Sequence, residues 1–158
     1  ESALLTGHES IATGRGYIWS RSIPLLKDNI ILGSGADTFA LEFPHQDYVN
    51  YYNAGFEGEV LTKPHSLYLQ IGVQSGVISL IAFITFYLMY FISSFKLYIK
   101  GHFDNFFKQA GVSIFLGTIA YMIIGISNDS TLTVAPIAWA LIGVGIACNY
   151  KVKGQMEC

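Results

Sequence analysis

Apolar residues in this chain gather into long uncharged runs in its second half. Residues 66–95 contain no Asp, Glu, Lys or Arg, and their apolar part, from Val77 to Phe95, is long enough to cross a hydrocarbon core that takes about 20 helical residues. Residues 109–128 and 130–150 are also uncharged and are separated only by Asp129 in "SNDST". This pattern predicts a helical hairpin, with Pro136 in its second span expected to kink the helix. The fold class that follows is an all-α membrane protein of about three transmembrane helices, preceded by an extracytoplasmic loop region with an interfacial helix. The boundaries are 1–65 for the loop region and 66–158 for the membrane domain, with spans at about 67–95, 109–128 and 130–150.

The first 65 residues are patterned differently. "GRGYIWSRSIPLLKDN", Gly14 to Asn29, mixes Tyr17, Ile18, Trp19, Ile23, Leu25 and Leu26 with polar positions, and reads as an interfacial helix with a break near Pro24. Arg15 and Trp19 are four apart and share a face, while Arg21 lies on another side. Next come an apolar run with a glycine turn, "IILGSGADTF", and a loop dense in tyrosine and asparagine, "PHQDYVNYYNAGFEGEV". Tyr48, Tyr51 and Tyr52 there could stack on sugar rings, but a solvated loop packing its own aromatics is the favoured reading, and they stay outside the candidate site. A helix beginning near Pro64 would put His65, Leu69, Gly72, Gly76 and Ser79 on one face. Gly72 with Gly76, and Ser75 with Ser79, form small-residue pairs that let another helix approach closely.

Composition agrees with a membrane location, at 52% hydrophobic and 13% charged residues with a mean hydropathy of +0.44. Lys96, Lys100 and Lys108 between the first two spans, and Lys151 and Lys153 in the tail, assign those ends to the cytoplasm. Asp129 and residues 1–65 then fall outside. The net charge of -2, without a basic run, argues against a nucleic-acid partner. Cys148 and Cys158 form neither a CxxC pair nor a disulfide framework. The opening "ESALLTGHES" lacks the features of a signal peptide, and the chain is read as the C-terminal piece of a longer protein.

Other chemistries lack support in the sequence. Glu42, His45 and Asp47 come without HExxH or cysteine ligands, so no metal is expected, and no cofactor either. "GSGAD", Gly33 to Asp37, has no third glycine or βαβ setting, and no GxSxG anchors a serine triad.

Two stretches carry a resemblance. "GRGYIWSRSIPLLKDNIILGSGADTF" is similar to an arginine segment followed by a glycine turn, and "HSLYLQIGVQSGVIS" to a histidine signature, both of the O-antigen ligase and polysaccharide polymerase family of bacterial envelope proteins. His65, Ser66 and Gly76 fall on that signature, whereas Ser79 stands where the ligases usually carry glycine, threonine or tyrosine, leaving ligase and polymerase both open. The resemblance covers roughly residues 13–95.

It implies a metal-independent glycosyltransferase that takes a glycan from a polyprenyl diphosphate carrier, such as undecaprenyl diphosphate, at the outer face of the cytoplasmic membrane. The acceptor would be a hydroxyl of a glycan or lipid. His65 is then the candidate base, Arg15 and after it Arg21 the diphosphate ligands, and Ser66, Gly72 and Gly76 the helix-packing positions near the site, with Ser66 orienting the base or capping its helix. Set against this, a histidine at a span edge can simply bond headgroups, and arginines on an interfacial helix can contact lipid phosphate. The alternative function is a non-enzymatic membrane component, such as part of a glycan flippase or transporter.

Overall fold

The computed structural model describes residues 14–99 and 104–156, apart from the side chain of Met156. The stretch "ESALLTGHES", Lys100 and Cys158, each used in the sequence reading, lie outside the described residues. Seven helices run through them: α1 (Arg15–Asp28), α2 (Phe39–Glu42), α3 (Tyr48–Asn53), α4 (Leu67–Ser75), α5 (Val77–Tyr98), α6 (Phe106–Ile124) and α7 (Ala135–Met156). No strand occurs among the described residues. Three segments, Val77–Tyr98, Phe106–Ile124 and Ala135–Gln155, are long and apolar enough to cross a membrane, and the chain is an all-α membrane protein.

The described residues divide into two compact units, the first within 14–82 with 125–130 and the second within 83–99, 104–124 and 131–156. In the first, Tyr17, Ile18, Phe39, Phe43, Tyr51, Leu61 and Val73 form a core that draws on α1 to α4. The sequence predicts a break at Pro24, but α1 runs through it without interruption. The proline ring removes one intrahelical hydrogen bond, and packing on both sides of it resists the break: Tyr17 and Ile18 are buried before it, and Leu25 and Leu26 pack on the core after it.

The uncharged stretch from Ser66 is divided into α4 and α5 at Gly76, whose φ of 95° and ψ of 156° are open to glycine alone. The segment after α1 fills this break. Ser34 and Gly35 donate their N–H groups to the carbonyls of Val73 and Gln74 (2.9 and 3.0 Å), while Val77 and Ile78 donate theirs to Asn29 and Ile30 (3.2 Å each). The end of α4 and the start of α5 are thereby satisfied by backbone, as a helix terminus away from water requires. The glycine turn read in "IILGSGADTF" is this plug.

The second unit is built by α6, α7 and the later part of α5, around Tyr87, Tyr90, Tyr98, Phe115, Ile142 and Val152. Asn149 is buried there, accepting from the Tyr98 hydroxyl (2.7 Å) and donating to Ser94 Oγ (2.8 Å). Gly111 and Gly145 leave room for the hydroxyl ends of Tyr98 and Tyr90, which a Cβ would strike. Pro136 does not kink a span as expected. It sits in the first turn of α7, where an N–H has no intrahelical acceptor to lose.

Candidate functional site

His65 lies just before α4, in the left-handed region at φ 50°. The sequence predicts a helix from Pro64 that would include it, but α4 begins at Leu67, because a residue in that conformation cannot continue a right-handed helix. For a residue with a side chain this conformation costs about 1 kcal/mol, and strain of this kind gathers at functional sites.

The loop between α6 and α7 meets this turn. Asp129 Oδ2 lies 3.2 Å from His65 Nδ1, and its Oδ1 accepts the N–H of Ser66 at 3.2 Å. Two further bonds hold the loop: Leu67 N–H to the Gly125 carbonyl (2.8 Å), and Ser130 N–H to Gln70 Oε1 (2.7 Å). The Asp129 side chain is 7% exposed and that of His65 is 45% exposed, so the carboxylate is enclosed while the imidazole still opens to its surroundings. With Nδ1 within hydrogen-bonding reach of a carboxylate, a neutral ring that donates from Nδ1 would present the Nε2 lone pair, the arrangement that makes a histidine a positioned base.

The other predicted residues are distributed around this pair. Ser66 is buried and precedes the first turn of α4, but its side chain makes no cap bond; it contributes its backbone N–H to Asp129. Gly72 faces α1, and a Cβ there would come within 2.6 Å of Leu26 Cδ2. Gly76 forms the α4–α5 break, and a Cβ there would run into the carbonyl of Ile31.

The two arginines differ sharply. Arg21 is buried, stacks 3.9 Å over the Tyr17 ring, and donates to Ser20 Oγ (2.9 Å) and Asp47 Oδ2 (2.7 Å). The Asn50 side chain and then Arg21 hold the Asp47 carboxyl below the usual carboxylate range. Asp47 also accepts from the Asn50 backbone at the N-cap of α3, so this pair ties α3 to α1. Arg15, the first residue of α1, is half-buried and pairs with no described residue. It lies one turn before Trp19 on the same face, and Trp19 Nε1 donates to the carbonyl of Pro64 (3.1 Å), the residue next to His65.

Sequence reasoning missed Asp129, which served there only to mark a turn. Its mark in the sequence was a lone acidic residue between two uncharged runs, which a turn between spans explains by itself.

The family model described as O-antigen ligase matches residues 2–84. That is more than half of the chain, which belongs to the O-antigen ligase family. The match covers Arg15, Arg21 and His65, while Asp129 lies beyond it. The protein is therefore a multi-pass membrane protein of a family of ligase- and polymerase-type glycan-transfer enzymes. No curated protein and no solved structure matches it.

Proposed function

We propose that the protein transfers a glycan from a polyprenyl diphosphate carrier to an acceptor hydroxyl at the outer face of the cytoplasmic membrane, with His65 as general base and Asp129 as its positioning partner. The acceptor hydroxyl gives its proton to Nε2 as its oxygen bonds to the anomeric carbon. The bond from that carbon to the phosphate oxygen breaks, and the electron pair leaves on the carrier diphosphate. Asp129 balances the imidazolium, which then returns its proton to water. A positioned base of this kind contributes about a hundredfold or more.

Arg15 is the proposed ligand for the departing diphosphate. A forked guanidinium suits phosphate oxygens, and the scheme assigns their growing negative charge to this cation without calling on a metal. Arg21 is already bound to Asp47, so it serves as a positioning residue for the loop around α3. The outward orientation rests on the lysines in the last turns of α5 and α7. The single observation that carries the proposal is the 3.2 Å approach of His65 Nδ1 to Asp129.

The test is glycan transfer from the lipid carrier by wild type, His65→Ala and Arg15→Ala in cells that lack their own copy of the gene. Loss of transfer in both variants at normal protein levels supports the assignment; undiminished transfer by both overturns it.

A further inference from the structure

Beside α3 lies a cleft of about 460 Å³ that the transfer chemistry does not use, within the size range of small-ligand sites. Its lining includes His45, Tyr48, Tyr51, Tyr52, Phe56 and Glu59. Tyr48 and Tyr52 are 77% and 65% exposed and stand four apart on α3, so they share a face of that helix. Tyr51 is instead locked in place. It is buried in the core, and its hydroxyl donates to the Glu59 carbonyl. Burial, and secondarily the charge of Glu59, push its phenol up from the ordinary value. The cleft thus has a fixed aromatic floor and a two-tyrosine face left open.

Two polar features point to the occupant. His45 Nε2 is buried and has no hydrogen-bond partner among the described residues, which is costly unless a ligand or water supplies one. Apart from that imidazole, Glu59 is the one ionisable acid or base among the described lining residues other than the tyrosines, and a carboxylate accepts from hydroxyls while repelling anions. Aromatic faces beside a hydroxyl acceptor suit a ring with an apolar C–H face and a rim of hydroxyls.

We infer that this cleft is a saccharide-binding subsite, with Tyr48 and Tyr52 as the stacking platform, His45 Nε2 and Glu59 as hydroxyl partners, and a preference for neutral over uronic-acid sugars. It rests on the reading that the protein handles glycans, but it concerns recognition apart from the His65 chemistry.

The test places the protein in phosphatidylcholine nanodiscs, since maltoside detergents carry sugars themselves. Maltotriose, chitotriose and trigalacturonate are titrated while saturation transfer from protein to sugar protons is followed by NMR. Wild type should bind at least one neutral trisaccharide about tenfold more tightly than trigalacturonate. Tyr48→Ala/Tyr52→Ala should lose about tenfold for the neutral sugar, whereas Tyr52→Phe, which keeps the ring, should not. His65→Ala should bind as wild type does, so a failure of the catalytic reading shows up in transfer and a failure of this one in binding. Absence of neutral-sugar binding by wild type, unchanged binding by the double alanine variant, or a preference for trigalacturonate would each overturn the subsite. Both tyrosines are largely exposed, so their removal leaves the core of this unit intact.

Discussion

Asp129 lies with one carboxylate oxygen 3.2 Å from His65 Nδ1 and the other 3.2 Å from the backbone N–H of Ser66, joining the loop after α6 to the turn before α4. Each bond fixes a different property. The Ser66 bond holds the carboxylate in place, and the His65 contact orients the ring. A histidine at φ 50° would otherwise relax toward an extended or helical backbone, so the loop also holds the strained turn.

Arg15 is the residue whose loss should affect the donor rather than the fold. It pairs with no described residue, so removing it breaks no ion pair there. Arg15→Ala should leave the melting temperature within a few degrees of wild type while cutting kcat/KM for the lipid-linked glycan by about tenfold to a hundredfold. Arg15→Lys should recover only part of this, because an ammonium lacks the two-pronged contact with phosphate. Steady-state kinetics with the lipid-linked donor, alongside thermal unfolding, check both points.

Gly76 and Gly33 should be intolerant of any side chain. At Gly76 a Cβ would meet the Ile31 carbonyl, at Gly33 the Gln74 carbonyl, and both glycines have positive φ. The obstacles are backbone atoms in the plug between α4 and α5, which cannot swing aside. Each alanine substitution should destabilise by more than about 2 kcal/mol. Gly117, with nothing within 4 Å of its Cβ position inside α6, should accept alanine freely. Thermal unfolding of the three variants in the same membrane mimetic separates these outcomes.

The Arg21–Asp47 tie carries a pH signature. Asp47 is held below its ordinary pKa by Asn50 and Arg21, so folding favours its ionised form. Its stabilising contribution is present above the unfolded value of about pH 4 and is lost as pH falls through the lower folded value. Lowering the pH from 5 to about 3 should loosen α3 more in wild type than in Asp47→Asn, whose tie is already weakened at neutral pH. Hydrogen exchange of the Tyr51–Asn53 amides across that window gives the comparison.

In the second unit, Tyr98→Phe would leave Asn149 Oδ1 without its donor in buried surroundings. A loss of about 1 kcal/mol is expected, and Ser94→Ala should cost a similar amount through Asn149 Nδ2. If the three side chains act as one network, the double variant should cost less than the sum of the two. A double-mutant cycle on thermal unfolding measures the coupling.

Much of this architecture could be read from residue order, because charge-free stretches such as 109–128 are governed by lipid thickness alone. His65 and Arg15 stood out as candidates through motif resemblance, and the close approach at Gly72 through small-residue spacing. What escaped depends on contacts distant in the chain. The role of Gly76 as a break follows from carbonyls supplied by residues 29–35, and Asp129 becomes a partner of His65 only once its loop docks on α4. Pro24 misled for the opposite reason: core packing on either side holds α1 together where local preference argues for a break.

Asp129→Asn tests the central claim most directly, because the asparagine can still accept from Ser66 through its carbonyl oxygen while its amide donates to Nδ1. The imidazole then carries its proton on Nε2 and cannot act as a base. Rates of glycan transfer should fall by a hundredfold or more with the melting temperature little changed. Transfer at the wild-type rate by a correctly folded Asp129→Asn protein would contradict the assignment of these two residues as a catalytic pair.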